Sequence, residues 1–190
     1  PQQEANRIAL QAAFVYFQRG LAWYDKNDYD RAIADFSESI RLNPQDASPW
    51  VGRGAAYMYK NDLKQAIADF SEGIKLKPGQ AFAHMQRGIA YHRIGDADNA
   101  LTDYSIAHEL TPKDPNPLVN RGIVYYTKKG KFEEAVADFN LALKLNPKEV
   151  NALINRGVTW RQRNDPDRAI VDFTEAVRLG LQTSDILRLT

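Results

Sequence analysis

Apolar residues along this chain recur three and four apart, and the pattern itself repeats. From Arg19 to Pro44 the chain reads RGLAWYDKNDYDRAIADFSESIRLNP, and 34 residues later Arg53 to Pro78 reads RGAAYMYKNDLKQAIADFSEGIKLKP. Further copies run from Arg87 to Pro112 and, one residue longer, from Arg121 to Pro147. A fifth begins at Arg156 and carries Leu181 where the others carry proline. The first part of each copy places bulky groups around a glycine, as in Tyr16, Gly20, Trp23 and Trp50, Gly54, Tyr57. The second part sets an aromatic between small residues: Ala32, Phe36, Ser39; Ala66, Phe70, Gly73; Ala100, Tyr104, Ala107; Ala135, Phe139, Ala142; Ala169, Phe173, Ala176. Both spacings follow one face of a 3.6-residue helix. The pattern therefore predicts two helices per copy and an all-α array of five pairs.

The segments between helices carry their own chemistry. Asn27, Asn61, Gly95, Gly130 and Asn164 stand at equivalent places, and Gly and Asn are the residues that accept the left-handed conformation ending a helix. Asp28, Asp62, Asp96 and Asp165 follow as N-caps for the second helix. Lys131 breaks that rule beside the extra residue in Thr127-Lys128-Lys129, which predicts a looser turn. Pro44, Pro78, Pro112 and Pro147 stop the second helices, and Asp114-Pro115 supplies a cap and a first-turn proline. Gly20, Gly54, Gly88, Gly122 and Gly157 sit mid-helix, where each costs about 1 kcal/mol against alanine. A penalty kept in every copy implies close approach of the paired helix.

A large residue, Gly, aromatic, Ala, aromatic, Ala and Pro at fixed offsets resembles the tetratricopeptide repeat. The resemblance divides the chain into repeats at 13–46, 47–80, 81–114, 115–149 and 150–183. Residues 1–12 form a helical extension carrying Ile8 and Leu10, and 184–190 the start of a capping helix or tail. Thr183-Ser184-Asp185 would cap that helix, which would carry Ile186, Leu187 and Leu189. His84, His108 and Leu181 depart from the family pattern. The implied fold is an α-solenoid, a right-handed superhelix whose first helices line a concave groove. The groove positions are Phe17, Leu21 and Tyr24 in the first copy, and Val51, Met58 and Tyr59, with Ser48 and Ala55, in the second. The third copy places Phe82, Met85, Ile89, His92 and Arg93 there; the fourth and fifth place Val119, Ile123, Tyr126 and Arg161. Chaperone-binding members hold a C-terminal carboxylate with lysine, asparagine and arginine. The matching residues in the first three repeats are Phe17, Leu21, Gly52, Phe82 and Gln86, so a carboxylate clamp is not predicted.

One variation carries separate physics. Arg19, Arg53, Arg87, Arg121 and Arg156 stand where the family more often has an apolar residue. Asp35, Asp69, Asp103, Asp138 and Asp172 stand where it often has tyrosine. The joint substitution predicts an Arg–Asp bond between the two helices, within a repeat or across repeats.

Composition narrows the function. Net charge is +1 and alternates in sign through the first four repeats, so no basic face for nucleic acid is expected. Cysteine is absent, which removes disulfides and thiolate chemistry but does not choose between cytoplasm and periplasm. No apolar run approaches the roughly 20 residues of a spanning helix, so no direct membrane insertion is expected. No zinc-protease, nucleophile-elbow or phosphate-loop motif occurs, and His84, His92 and His108 lack metal-site spacing. The reading is a non-enzymatic scaffold without cofactor that binds an apolar or aromatic-rich protein segment in its groove. The alternatives are a self-associating structural module, or a regulatory repeat region of a larger protein, which a chain opening on Pro1 would fit.

Overall fold

Prolines and left-handed turn residues set the helix ends. The computed structural model describes the backbone of residues 2–188 and the side chains of residues 2–180. One unit, Pro1–Asp96, holds α1 (Gln2–Asp25), α2 (Tyr29–Leu42), α3 (Ala47–Tyr59), α4 (Leu63–Leu76) and α5 (Ala81–Ile94). The other, Ala97–Thr190, holds α6 (Ala97–Leu110), α7 (Asn116–Lys128), α8 (Phe132–Leu145), α9 (Val150–Gln162) and α10 (Pro166–Arg188). The fold is all-α, with no strand among the described residues. Within each unit every helix packs on the next, and alternate helices also touch: α1 on α3, α3 on α5, and α7 on α9.

All five turn residues are left-handed, with φ of 61° at Asn27, 62° at Asn61, 88° at Gly95, 60° at Gly130 and 60° at Asn164. The amide that follows closes the turn. Asp28 donates to the Trp23 carbonyl at 2.9 Å, and Asp62, Asp96 and Asp165 do the same to Tyr57, Tyr91 and Trp160 at 2.9–3.0 Å. In the fourth repeat the Lys131 amide reaches the Tyr125 carbonyl, also at 2.9 Å. The extra residue is absorbed inside a longer ring, so the turn keeps its closing bond instead of loosening. What it loses is the cap: Asp28, Asp62 and Asp165 accept from the amides of Arg31, Gln65 and Arg168 at 3.2 Å, while Lys131 makes no cap bond.

The mid-helix glycines are close-approach points. A β-carbon on Gly20 would lie 2.8 Å from the Phe36 ring, on Gly54 3.0 Å from Phe70, on Gly122 2.7 Å from Phe139 and on Gly157 2.8 Å from Phe173. Each is the aromatic of the same repeat's second helix, fully buried at Phe36, Phe70 and Phe139. The core is thus a series of local clusters, such as Ala32, Phe36 and Ala56, or Leu118, Ala135 and Phe139.

The Arg–Asp bond forms within repeats and is extended across them. Arg53 Nε and Nη2 donate to the two Asp69 oxygens at 2.7 and 2.8 Å. Arg19–Asp35, Arg121–Asp138 and Arg156–Asp172 are bidentate in the same way. The remaining nitrogen, Nη1, then crosses to the preceding repeat. Arg53 reaches Ser37, Arg87 reaches Ser71 and Arg121 reaches Ser105, each at 2.9 Å, and Arg156 reaches Asn140 at 2.6 Å.

At the C-terminus α10 runs unbroken from Pro166 to Arg188, so its backbone passes through Thr183–Asp185 without the break expected there. Leu181, unlike a proline, keeps the amide that continues a helix. The side chains of Ile186 and Leu187, and the whole of Leu189, lie outside the described residues. At the other end α1 starts at Gln2, with Ile8 and Leu10 exposed.

Candidate functional site

In the first unit the first helices of three successive repeats wall an apolar cavity of about 450 Å³. Phe17, Leu21 and Tyr24 come from α1, Val51 and Ala55 from α3, and Phe82 from α5. Phe36, fully buried, closes it from α2, its ring tilted against Phe17 at 5.9 Å. The polar side chains in the lining are Ser48 and Gln80, both uncharged.

Gly52 keeps the cavity open. A β-carbon there would stand 2.9 Å from the Phe36 ring. The equivalent residue, immediately before the arginine, is Gln18, Gln86, Asn120 or Asn155 in the other copies. In the second unit Asn155 occupies that position and accepts a bond from the Tyr126 hydroxyl at 3.1 Å. Tyr24 is the counterpart of Tyr126, and its neighbour across the junction is Gly52, which offers no side chain. Tyr24 packs edge-on to Tyr29 and to Tyr59, each at 5.6 Å, and those two rings stack at 4.9 Å. Burial, followed by the neighbouring Tyr59 hydroxyl, pushes the Tyr24 phenol above its usual range.

Seven predicted groove residues meet here: Phe17, Leu21, Tyr24, Ser48, Val51, Ala55 and Phe82. Tyr59 joins at the aromatic cluster. Two predictions need correction, because Met58 and Val119 are buried away from the cavity, whereas Val51 is buried but lines it. Met58 and Val119 belong to the packed clusters around Phe70 and Phe139; Val51 does too, while still showing an edge to the cavity. Neighbouring first helices cover more of this face than an isolated helix pair suggests. Ile89 is half-buried against the Phe70 cluster, with Met85 and His92 half-buried on the same helix. Arg93 reaches back to Asn61 Oδ1 at 2.7 Å and to the Met58 carbonyl at 3.5 Å, so it secures the end of α3. In the second unit Ile123 and Tyr126 pack beside Phe139, and Arg161 is exposed.

The sequence pattern did not single out Phe36, Gly52, Gln80, Ala81 or Tyr29 for this site. Gly52 was findable, since it alone breaks a run of amides across the copies. His84 stands where the second repeat has Trp50 and repeats its role: Trp50 Nε1 donates to the Pro44 carbonyl at 3.2 Å, and His84 Nε2 lies 3.2 Å from the Pro78 carbonyl. Among the described residues no group of three or more metal-ligating side chains occurs, and no helix is long and apolar enough to cross a membrane.

The tetratricopeptide repeat family model matches residues 13–46, and a second TPR repeat model matches 54–95 and 126–162. The chain belongs to the tetratricopeptide-repeat family. It is therefore a protein-interaction scaffold of the α-solenoid class. Among solved structures it is similar to MamA protein, with a TM-score of 0.83 at 19% identity over 92% of this chain and 95% of that one. MamA from Desulfovibrio magneticus RS-1 superposes with a TM-score of 0.83 at 20% identity, over 90% of this chain and 96% of that one. YrrB, a TPR protein with an unusual peptide-binding site, gives 0.77 at 20% identity over 93% and 91%. At these identities the likeness concerns the fold. No curated protein matches the tetratricopeptide array by sequence.

Proposed function

We propose that this chain is a non-enzymatic scaffold that holds a protein segment by seating one apolar or aromatic side chain in the cavity of its first unit. The observation that carries the reading is the lining itself. Four aromatic rings, those of Phe17, Tyr24, Phe36 and Phe82, and the aliphatic side chains of Leu21 and Val51 surround about 450 Å³, a volume suited to a large side chain. No lysine or arginine lines it, which speaks against capture of a terminal carboxylate. Exposed Phe82 at the rim and the Tyr24–Tyr29–Tyr59 cluster extend the apolar surface on which the rest of such a segment would lie. YrrB supplies a precedent for peptide binding on this fold.

The test is panning of a random peptide library on wild type, with the Phe82→Glu variant for counter-selection. Selected peptides should share a Leu, Phe or Trp anchor, bind the variant at least roughly tenfold more weakly, and tolerate C-terminal amidation. Peptides that bind both proteins equally, or that need a free carboxylate, would overturn the reading.

A further inference from the structure

We infer that the two end faces of this array are complementary halves of one interface, and that a second copy of the chain stacks on it head to tail. The template occurs four times within the chain. At the junctions α2/α3, α4/α5, α6/α7 and α8/α9 an incoming first helix meets an outgoing second helix in the same way.

On the incoming side, the residue four before the arginine is Pro49, Ala83, Pro117 or Ala152, and each is fully buried. The first repeat places Val15 there, and it is 63% exposed. Ala22, three after Arg19, is exposed as well, whereas its counterparts Ala56 and Ala90 are fully buried. On the outgoing side, Ile40 is buried, and Ile74 packs partly buried against the Phe70 cluster. Their counterpart in the fifth repeat, Val177, is 59% exposed. Ile170 is exposed too, where Val136 is buried in the fourth repeat.

The polar parts match in the same register. Ser37, Ser71 and Ser105 each donate to the carbonyl four residues back and accept Nη1 of the next repeat's arginine. Thr174 makes the same donation, to Ile170 at 2.7 Å, leaving its oxygen ready for an arginine. Arg19, at the opposite end, has used Nε and Nη2 on Asp35, which leaves Nη1 for the serine-type acceptor of a preceding repeat. Ion pairs Lys60–Asp30, Lys129–Asp98 and Arg163–Glu133 cross three of the four junctions. The corresponding end residues are Lys26 and Asp167, of opposite charge and without an ion-pair partner among the described residues. Apolar surface, hydrogen-bond donor and acceptor, and charge thus all fit a second copy placed as one more repeat. The two faces differ, so the contact is heterologous and extends beyond a dimer.

Sedimentation equilibrium on the whole chain from about 10 μM to about 1 mM reads this directly. Average mass should climb past the dimer as concentration rises. Val15→Glu blocks one face and Val177→Glu the other; each alone should associate at least roughly tenfold more weakly, because a carboxylate would be buried unpaired. Mixed together, they still own one intact face of each kind and should give a 1:1 dimer and nothing larger. Lys26→Glu with Asp167→Lys is a gentler pair, weakened singly and restored on mixing, which serves if a glutamate variant loses its far-UV circular dichroism. A wild type that stays monomeric to 1 mM, a species that stops at a symmetric dimer, or variants that associate as wild type does would each overturn the inference.

Discussion

The Arg53–Asp69 pair offers the sharpest test of how the repeats are held. Its aspartate side chain is 4% exposed and its arginine side chain 18%, with two bonds to each other and a third from Arg53 to Ser37. Asp69→Ala leaves a cation with little water around it, and Arg53→Ala leaves an anion with almost none. Removing one partner of a buried pair costs roughly 3–5 kcal/mol. With a urea m-value of about 2 kcal/mol/M, that lowers the unfolding midpoint by roughly 1.5–2.5 M. The double variant removes both charges at once, so it should fall short of the summed single losses by about 2–3 kcal/mol. Arg53→Leu with Asp69→Tyr, the residue types the family more often places there, should recover most of the loss, since apolar replacement of a buried pair is commonly neutral. Urea titrations followed by circular dichroism supply all four corners of the cycle, provided the m-value is unchanged among variants. The Arg19–Asp35 pair is an internal comparison: its arginine is 58% exposed, so its coupling should be smaller. Coupling below about 0.5 kcal/mol at Arg53–Asp69 would refute a structural role.

Four further outcomes follow from packing and solvation. Gly122→Ala gains about 1 kcal/mol of helix propensity but drives a methyl to 2.7 Å from the Phe139 ring; overpacking of 1–3 kcal/mol should win, and melting should fall. Gly180→Ala meets nothing within 4 Å and should instead raise stability by about 0.5–1 kcal/mol. Tyr104 Oη is buried without a protein partner, and the other four copies carry phenylalanine at that place. Tyr104→Phe should therefore stabilise by about 1–2 kcal/mol in the same titration. Burial holds the Tyr24 phenol above its ordinary value of 10, so the folded state keeps its proton longer than the unfolded chain. That stabilisation is complete below pH 10 and lost as pH rises beyond it; absorbance at about 295 nm should show a late tyrosine that Tyr24→Phe removes.

The legible features were those that all copies share. Left-handed Asn27 and Gly130, the prolines that end second helices, the glycine–aromatic approach and the Arg–Asp bond each depend on one helix pair or its turn. Five copies report the same local physics, so chance agreement is small. Residues whose fate depends on which repeat stands beside them were harder to read. Met58 and Val119 look like surplus apolar surface on a single helix, yet adjacent first helices cover them. The Ser37-type acceptor was hidden for the same reason: a serine on a helix surface reads as solvent-facing until the next repeat brings its arginine. Tyr29 gave no warning, because the other copies place Leu63, Ala97, Phe132 and Pro166 there.

The cavity itself arises from a difference between copies rather than from the shared pattern. In the second unit an amide at Asn155 meets the Tyr126 hydroxyl, and the corner between successive first helices is filled by a polar contact. In the first unit glycine replaces the amide, the Phe36 ring rises to the lining, and Tyr24 turns to other aromatic rings instead. A helix-interior glycine costs about 1 kcal/mol, and here it is added to the structural one at Gly54, two residues on. The structural glycine lets two helices touch; Gly52 leaves room for the same aromatic, which stays buried behind the cavity wall. Uncharged lining and exposed rings then follow from which copies surround that gap, so the apolar cavity is local to the first three repeats while the Arg–Asp bonding recurs along the chain.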